Sequence, residues 1–287
     1  MDIFDNASVL TEEVEFAKEQ GTTVGFVPTM GALHEGHMSL VRQSKLDCDQ
    51  TVVSVFVNPT QFNNPDDLDN YPRTMEADTA RLEGVATDFL FAPTESEIYP
   101  DAQSRNAVPG LDLDNLDKVM EGVHRPGHFQ GVVQVVSRLF DIVRPDVAYF
   151  GEKDYQQLAV IRTMTEQMKL PVRIVGCPTC READGLAMSS RNVRLDAEGR
   201  KAAAVLFQAL TFIRKNWDQH PVKTLKQVAT NMIEKSGLVR IEYLEIADAN
   251  TLQPVDEIDG NSHVRSFIGA YVGDVRLIDN EIVTKPY

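Results

Sequence analysis

The chain has 287 residues, 43% hydrophobic and 25% charged, enough for two domains or one large α/β domain with a buried core. No apolar run approaches the ~20 residues of a membrane span, and the opening Met1-Asp-Ile-Phe-Asp-Asn6 has neither the basic start nor the apolar core of a signal peptide. A net charge of −15 without a basic cluster argues against nucleic-acid partners, and three cysteines fit a reducing cytoplasm better than a secreted disulfide framework.

The first predicted element is a helix over 8–20, stopped by Gly21. The β-branched run at 22–27 reads as a strand and feeds Pro28-Thr-Met-Gly-Ala-Leu-His34-Glu-Gly-His37, after which a helix runs over 37–47. A second apolar strand, 51–57, is closed by Asn58-Pro59. An acidic loop carrying Asp66, Asp67 and Asp69 follows, then a helix at 74–83 and a short strand at 88–92. The stretch 93–130, punctuated by Pro and Gly, is expected to hold loops and one short helix. Val132, Val135, Val136, Leu139, Phe140 and Val143 mark one face of a helix over 131–143. Strands at 147–150 and 172–175 flank a helix at 155–169. Strands that alternate with helices and are nearly continuous in apolar residues imply a parallel sheet covered on both faces.

Beyond about 180 the rhythm changes. Helices near 196–216 and 221–235 precede strands at 239–247, 263–272 and 274–279, which reads as a smaller α+β domain. The fold class expected is therefore α/β, a Rossmann-like parallel sheet over 1–179 with a C-terminal α+β lid domain over 180–287.

The residues that carry chemistry cluster at strand ends. His34 and His37 share a helical face at i and i+3, at a βα turn where the helix N-terminus offers unpaired N–H groups. That suits the α-phosphate of a nucleoside triphosphate. A zinc site built from His34, His37, Cys177 and Cys180 is the weaker alternative, because the two pairs are far apart in sequence and the glycine-flanked helix start fits an anion better. Cys177-Pro-Thr-Cys180 as a redox motif is weak too, since it opens no helix. Asn58 fits turn chemistry, whereas Gln61 does not and is free to orient a hydroxyl or carboxylate. Gly151-Glu152-Lys153-Asp154 again lies between strand and helix; Lys153 can reach a phosphate and Asp154 can cap the helix. Arg125-Pro-Gly-His128 either binds an anion or turns the chain. Met188-Ser189-Ser190-Arg191 shows no periodicity, and supplies hydroxyls and a guanidinium that a triphosphate site needs. These cations and helix ends must make one positive pocket in an acidic surface.

Taken together, these stretches resemble the pantoate–β-alanine ligase family almost end to end. The resemblance rests on 28–37, Phe56-Val-Asn-Pro-Thr-Gln-Phe62, Tyr71-Pro-Arg-Thr74, Arg125-Pro-Gly-His-Phe129, 145–157, 181–192 and Arg276-Leu-Ile-Asp-Asn280. His-x-Gly-His alone is shared by nucleotidyltransferases and class I aminoacyl-tRNA synthetases; the combined set is far more specific. The resemblance implies two half-reactions, a pantoyl adenylate formed from ATP and pantoate, then capture by β-alanine with release of AMP. It also implies a homodimer in the cytoplasm, with Mg²⁺ accompanying ATP. By motif, Met30, Gly31, Ala32, Leu33, His34, Glu35, Gly36 and His37 form the first ATP segment, with His37 the proton donor and His34 beside it. Gly151, Glu152, Lys153 and Asp154, Cys180, and Met188, Ser189, Ser190 and Arg191 form the others. Gln61 and Gln157 are expected to bind pantoate, and Gln61 β-alanine as well. Cys180 stands where the family usually has a valine that meets adenine through its backbone, which makes the site oxidation-sensitive. Rival readings are another nucleotidyltransferase, which has no use for Gln61 and Gln157 together; a tRNA synthetase-like protein, which the charge opposes; and a non-catalytic nucleotide sensor, which needs no histidine pair.

Overall fold

The computed structural model describes residues 1–101, 105 and 109–285. Its contacts group the chain into two compact units. One comprises Met1–Leu113, Arg125–Glu152 and Gln157–Pro178; the other Asp114–His124, Lys153–Gln156 and Thr179–Tyr287.

In the first unit, β1 (Asp2–Phe4), β2 (Val24–Thr29), β3 (Gln50–Val55), β4 (Phe89–Phe91), β5 (Val147–Gly151) and β6 (Arg173–Cys177) form a six-stranded sheet in the order β1-β4-β3-β2-β5-β6, with every pairing parallel. Its helices begin with α1 (Ala7–Glu19), α2 (Glu35–Asp47), α3 (Pro65–Asp69), α4 (Met75–Gly84) and α5 (Glu95–Ile98). The short α6 (Glu121–His124) falls in the second unit. The first unit then continues with α7 (His128–Val143) and α8 (Tyr155–Gln167), whose first two residues group with the second unit. Val27, Val41, Val53, Leu90 and Tyr149 are fully buried in one of the cores on this sheet. The inner strands β2, β3, β4 and β5 are apolar and largely buried, as a parallel sheet covered by helices requires, whereas the edge strands β1 and β6 carry exposed residues.

The second unit holds α9 (Ala197–Ala203), α10 (Val205–Asn216) and α11 (Val222–Glu234) with an antiparallel sheet, β7 (Val239–Asp248), β8 (Val264–Val272) and β9 (Val275–Thr284), in sequential order. Leu206, Leu210, Ile213, Leu225, Ile233 and Ile268 form its core. The α/β sheet with an α+β unit is the architecture expected.

Three elements differ from expectation. The acidic loop at 66–69 is α3. Asn64 accepts a hydrogen bond from the Asp66 N–H, Pro65 opens the helix, and acids in the first turn suit its dipole. The strand β1 is too short to show alternation and joins the sheet at its edge by pairing with β4. Helix α7 begins three residues before the expected start, behind Gly127. Of the stretch 93–130, residues 102–104 and 106–108 lie outside the described residues; the rest contains α5 and α6.

Candidate active site

Strand order fixes where a ligand can sit on the first unit. From β2 the chain proceeds outward to β3 on one side, and β5 and β6 lie on the other, so the order reverses between β2 and β5. The carboxyl ends of two strands diverging in this way leave a crevice, the usual ligand site of open α/β sheets. The segments after β2 and after β5 are Met30–His37 and Gly151–Glu152, two of the stretches singled out in the sequence.

Residues 30–34 form a loop with no regular hydrogen bonding of its own, so its shape has to be imposed. Gly31 and Ala32 both have positive φ, 80° and 48°. Glycine is the residue that adopts this region at no steric cost, and a Cβ there would also meet the Asp78 carboxylate at 3.1 Å. Asp78, only 1% exposed, accepts from the Ala32 N–H at 2.9 Å and the Leu33 N–H at 2.7 Å, and takes the Thr74 hydroxyl at 3.2 Å. A buried carboxylate satisfied by three donors is a fixed clamp. The sequence reading missed it. Its signal is an acid four residues before Leu82, on the face of α4 that is otherwise buried.

His34 is the N-cap of α2, with extended backbone. Its Nδ1 accepts from the Gly36 N–H at 3.2 Å, while Nδ1 of His37 accepts from the His34 N–H at 3.2 Å. Reciprocal capping of this kind is usually done by Ser or Thr with Glu. A backbone N–H can only donate, so both rings accept at Nδ1. In the neutral imidazole the proton is then on Nε2. The ring centroids are 4.1 Å apart with planes at 42°. The caps thus hold two Nε2–H donors side by side at a helix N-terminus.

Gln61, 8% exposed, follows β3 in a 3-10 turn, Pro59–Gln61. Its Nε2 donates to the Met30 sulfur at 2.9 Å, a weak acceptor that a carboxylate would displace, and its Oε1 accepts from Asn58 Nδ2 at 3.3 Å. Asn58 also accepts from the Tyr99 hydroxyl at 3.0 Å and donates to the Gly131 carbonyl at 3.2 Å. Glycine is needed at 131, since a Cβ would lie 2.4 Å from the Thr60 carbonyl and 2.6 Å from Gln61 Cα. His128 resolves the ambiguity of its motif. Its Nδ1 donates to the Gln61 carbonyl at 2.9 Å and its Nε2 accepts from Arg125 at 3.1 Å, so these two residues steady the Gln61 backbone. The amide of Gln157 hydrogen-bonds to nothing among the described residues and is half-buried at the start of α8.

In the second unit, Lys153 lies in the 3-10 turn Glu152–Asp154, its Nζ 3.5 Å from the Asp154 carboxylate. The Cys180 carbonyl accepts from the Met188 N–H at 2.9 Å, closing a turn whose base is the Arg181–Ala187 bridge. Ser189 caps the 3-10 helix Ser190–Arg194 by accepting from the Arg191 N–H at 3.3 Å. All three cysteines are free thiols; burial pushes Cys177 up to about 11, while Cys180 is half-buried. Among the described residues no group of three His, Cys, Asp or Glu is placed to hold a metal. A cavity of about 640 Å³ lined by Thr94, Glu95, Ser96, Tyr99, Asp101 and Arg105 contains none of the residues above except Tyr99, and its Arg105 is paired with Glu95 at 3.0 Å.

The family model described as pantoate-beta-alanine ligase matches residues 2–282. The chain belongs to the pantoate–β-alanine ligase family. Curated relatives of the family named pantothenate synthetase include one from Bacteroides fragilis, 51% identical over 281 residues, and one from Porphyromonas gingivalis, 48% identical over 280; each alignment covers 98% of both chains. The crystal structure of the pantothenate synthetase from Thermus thermophilus is 41% identical with a TM-score of 0.91, covering 99% of this chain and all of that one. The pantoate-beta-alanine ligase from Francisella tularensis, described as complexed with beta-gamma ATP and beta-alanine, is 36% identical with a TM-score of 0.81 and full coverage of both chains. Membership of this ligase family makes the protein an enzyme, and no described helix is long and apolar enough to cross a membrane.

Proposed function

We propose that this protein condenses pantoate with β-alanine in two ATP-dependent half-reactions. In the first, an oxygen of the pantoate carboxylate attacks the α-phosphorus of ATP. The bond to the bridging oxygen breaks and pyrophosphate leaves. In the second, the neutral amine of β-alanine attacks the acyl carbon of the pantoyl adenylate; AMP leaves with the C–O electron pair and the amine loses a proton. The observation that carries this reading is the reciprocal capping of His34 and His37 at the switch point, which aims two N–H donors from the N-terminus of α2. Donors that are already oriented stabilise charge growing on the α-phosphate without reorganising. The proton-donor role that the family resemblance gives His37 is here a hydrogen bond donated from Nε2–H to the α-phosphate, with His34 beside it.

Met30–His37, Gly151–Asp154, Cys180 and Met188–Arg191 are the ATP segments on this reading. Gln61 and Gln157 hold pantoate, and Gln61 also serves β-alanine. The stretch 1–179 binds ATP and pantoate, and 180–287 is the lid that keeps water from the adenylate. Mg²⁺ enters with ATP as part of the substrate. The hydrogen-bond donors of the ATP segments, imidazole, ammonium, hydroxyl and guanidinium, suit phosphate oxygens; the same segments carry the carboxylates Glu35, Glu152 and Asp154, and Mg²⁺ is commonly bound through phosphates, waters and one or two carboxylates. The working form is a homodimer in the cytoplasm, as in the family resemblance.

The test is pyrophosphate release from ATP with pantoate, before and after β-alanine is added. The expected result is a single-turnover burst with pantoate alone, then sustained turnover with AMP and pantothenate formed. No burst and no turnover would leave only a nucleotide-binding fold.

A further inference from the structure

The motif Arg276-Leu-Ile-Asp-Asn280 matches the family, and nothing above gives its last two residues a task. Both lie on β9 and side chains alternate along it. Val275, Leu277 and Val283 point into the core of the second unit. Asp279 stands in the same row, where a carboxylate is costly to bury unless it is matched. It is 4% exposed, and burial pushes its carboxyl up while Arg181 pulls against that shift. Arg181 meets it with both guanidinium nitrogens, at 2.7 and 3.1 Å, in the fork geometry that Lys cannot make.

That guanidinium does more than neutralise Asp279. It lies 4.2 Å above the Phe207 ring and donates at 3.1 Å to each of the Gly185 carbonyl, the Asn280 carbonyl and Glu281. Arg181 and Ala187 close the turn from which Met188 reaches back to the Cys180 carbonyl. Asp279 therefore fixes, through Arg181, the turn that carries Cys180 and leads into Met188–Arg191.

Asn280 points to the opposite face of the strand. Its Nδ2 donates to the Lys153 carbonyl at 2.8 Å, and its Oδ1 accepts from Arg265 Nη1. Arg265 is 3% exposed and its guanidinium lies 4.0 Å over the Tyr155 ring. Because the guanidinium can only donate and the Lys153 carbonyl can only accept, the amide has one possible orientation. A carboxylate at 280 could still meet Arg265 but would turn an acceptor on the Lys153 carbonyl. The residue must be an amide.

We propose that Asp279 and Asn280 are positioning residues for ATP: Asn280 sets the main chain from which Lys153 reaches the phosphates, and Asp279 sets the Cys180–Arg191 segment through Arg181. This role rests on the ligase reading above, in which Lys153 and that segment contact ATP.

The experiment is a double-mutant cycle on the full chain with Asn280→Asp, Lys153→Ala and both, reading steady-state constants for each substrate and a thermal midpoint. Asn280→Asp is expected to raise the KM for ATP about tenfold, the order expected when one hydrogen bond is lost and its buried acceptor left unmet, with the pantoate and β-alanine constants within about twofold of the parent. In the Lys153→Ala background the same change should add no more than about twofold, because residues that act through one another are not additive. An unchanged KM for ATP, or a full tenfold increase on top of Lys153→Ala, overturns the Asn280 role. If Asn280→Asp does not fold, Asn280→Ala, which withdraws the donor without adding charge, is read by the same criteria. Asp279→Asn is expected to raise the KM for ATP in either background; a lowered thermal midpoint with unchanged KM overturns its role. A parent protein that makes no pantothenate sinks the ligase reading and these roles with it, whereas an active parent with unaffected variants sinks these roles alone.

Discussion

The two sets of segments proposed to contact ATP are ordered by opposite means. Met30–His37 is shaped by backbone N–H groups donating into neighbouring side chains: two of its bonds span only two and three residues, and Asp78 supplies the others. Lys153 and the Cys180–Arg191 segment are held by β9 residues 127 and 98 positions away from their partners, through desolvated ions and an amide. The histidine caps of the first arrangement form as soon as β2 runs into α2, and its Asp78 clamp needs only α4, some 45 residues on. The second exists only after the three-stranded sheet has assembled, and it holds because each charge buried there is matched by a partner. The contrast predicts that damage to the first region falls mainly on turnover and damage to the second mainly on stability and nucleotide affinity.

The largest effect should come from Arg276→Ala, a direct attack on the second region. Arg276 donates to Glu121 at 2.6 and 2.9 Å and to Glu242, while the Tyr243 hydroxyl donates to Glu121 at 2.7 Å. Withdrawing the guanidinium from a carboxylate that is 6% exposed should cost about 3–5 kcal/mol of unfolding free energy, read from urea denaturation. A loss near zero would mean that the second region is not held by its ions. His37→Ala tests the first region. It should lower kcat by about 10²–10³ while ATP still binds, measured by turnover and equilibrium titration. Loss of binding without loss of kcat would reverse the contrast.

Asp78→Asn is next. One of the Ala32 and Leu33 N–H groups loses its acceptor, which should cost about 1–3 kcal/mol of stability and lower kcat more than it raises any KM. Tyr243→Phe sharpens the comparison through pH. Burial, with the Glu121 carboxylate beside it, raises the Tyr243 phenol well above its ordinary range. Above about pH 10 the unfolded chain loses a proton that the native one keeps, so stability falls as pH rises. In urea denaturation at pH 8 to 10.5, Tyr243→Phe should flatten that alkaline decline; an identical slope would show that Tyr243 ionises freely. The smallest effect belongs to Cys180. Mild oxidation should lower activity of the parent and leave Cys180→Val unaffected; equal inhibition of both would assign the damage elsewhere.

Periodicity made most of the fold legible. The apolar runs at β2, β3 and β5 and the striped face of α7 are unambiguous at the level of ten residues. Strand β1 was not, because three residues carry no pattern and their partner strand lies more than eighty positions on. Nor was α3, where a capping asparagine and a proline outweigh an acidic composition. The histidine pair was legible because its capping bonds span only two and three residues. Asp78 and Asn280 look like ordinary polar residues in sequence; their meaning comes from topology, which puts one beneath a loop with positive φ and the other beside the Lys153 carbonyl.

The reach of β9 has a consequence in time. Asn280 leaves the ribosome 127 residues after Lys153, an interval of roughly 6–25 s at bacterial-scale elongation rates of about 5–20 residues per second. The parallel sheet and its histidine pair can fold in that interval. On the proposed reading, a nascent chain has its capped histidine pair well before Asn280 fixes the Lys153 main chain, and the triphosphate subsite assigned to Lys153 would be complete only once β9 is made.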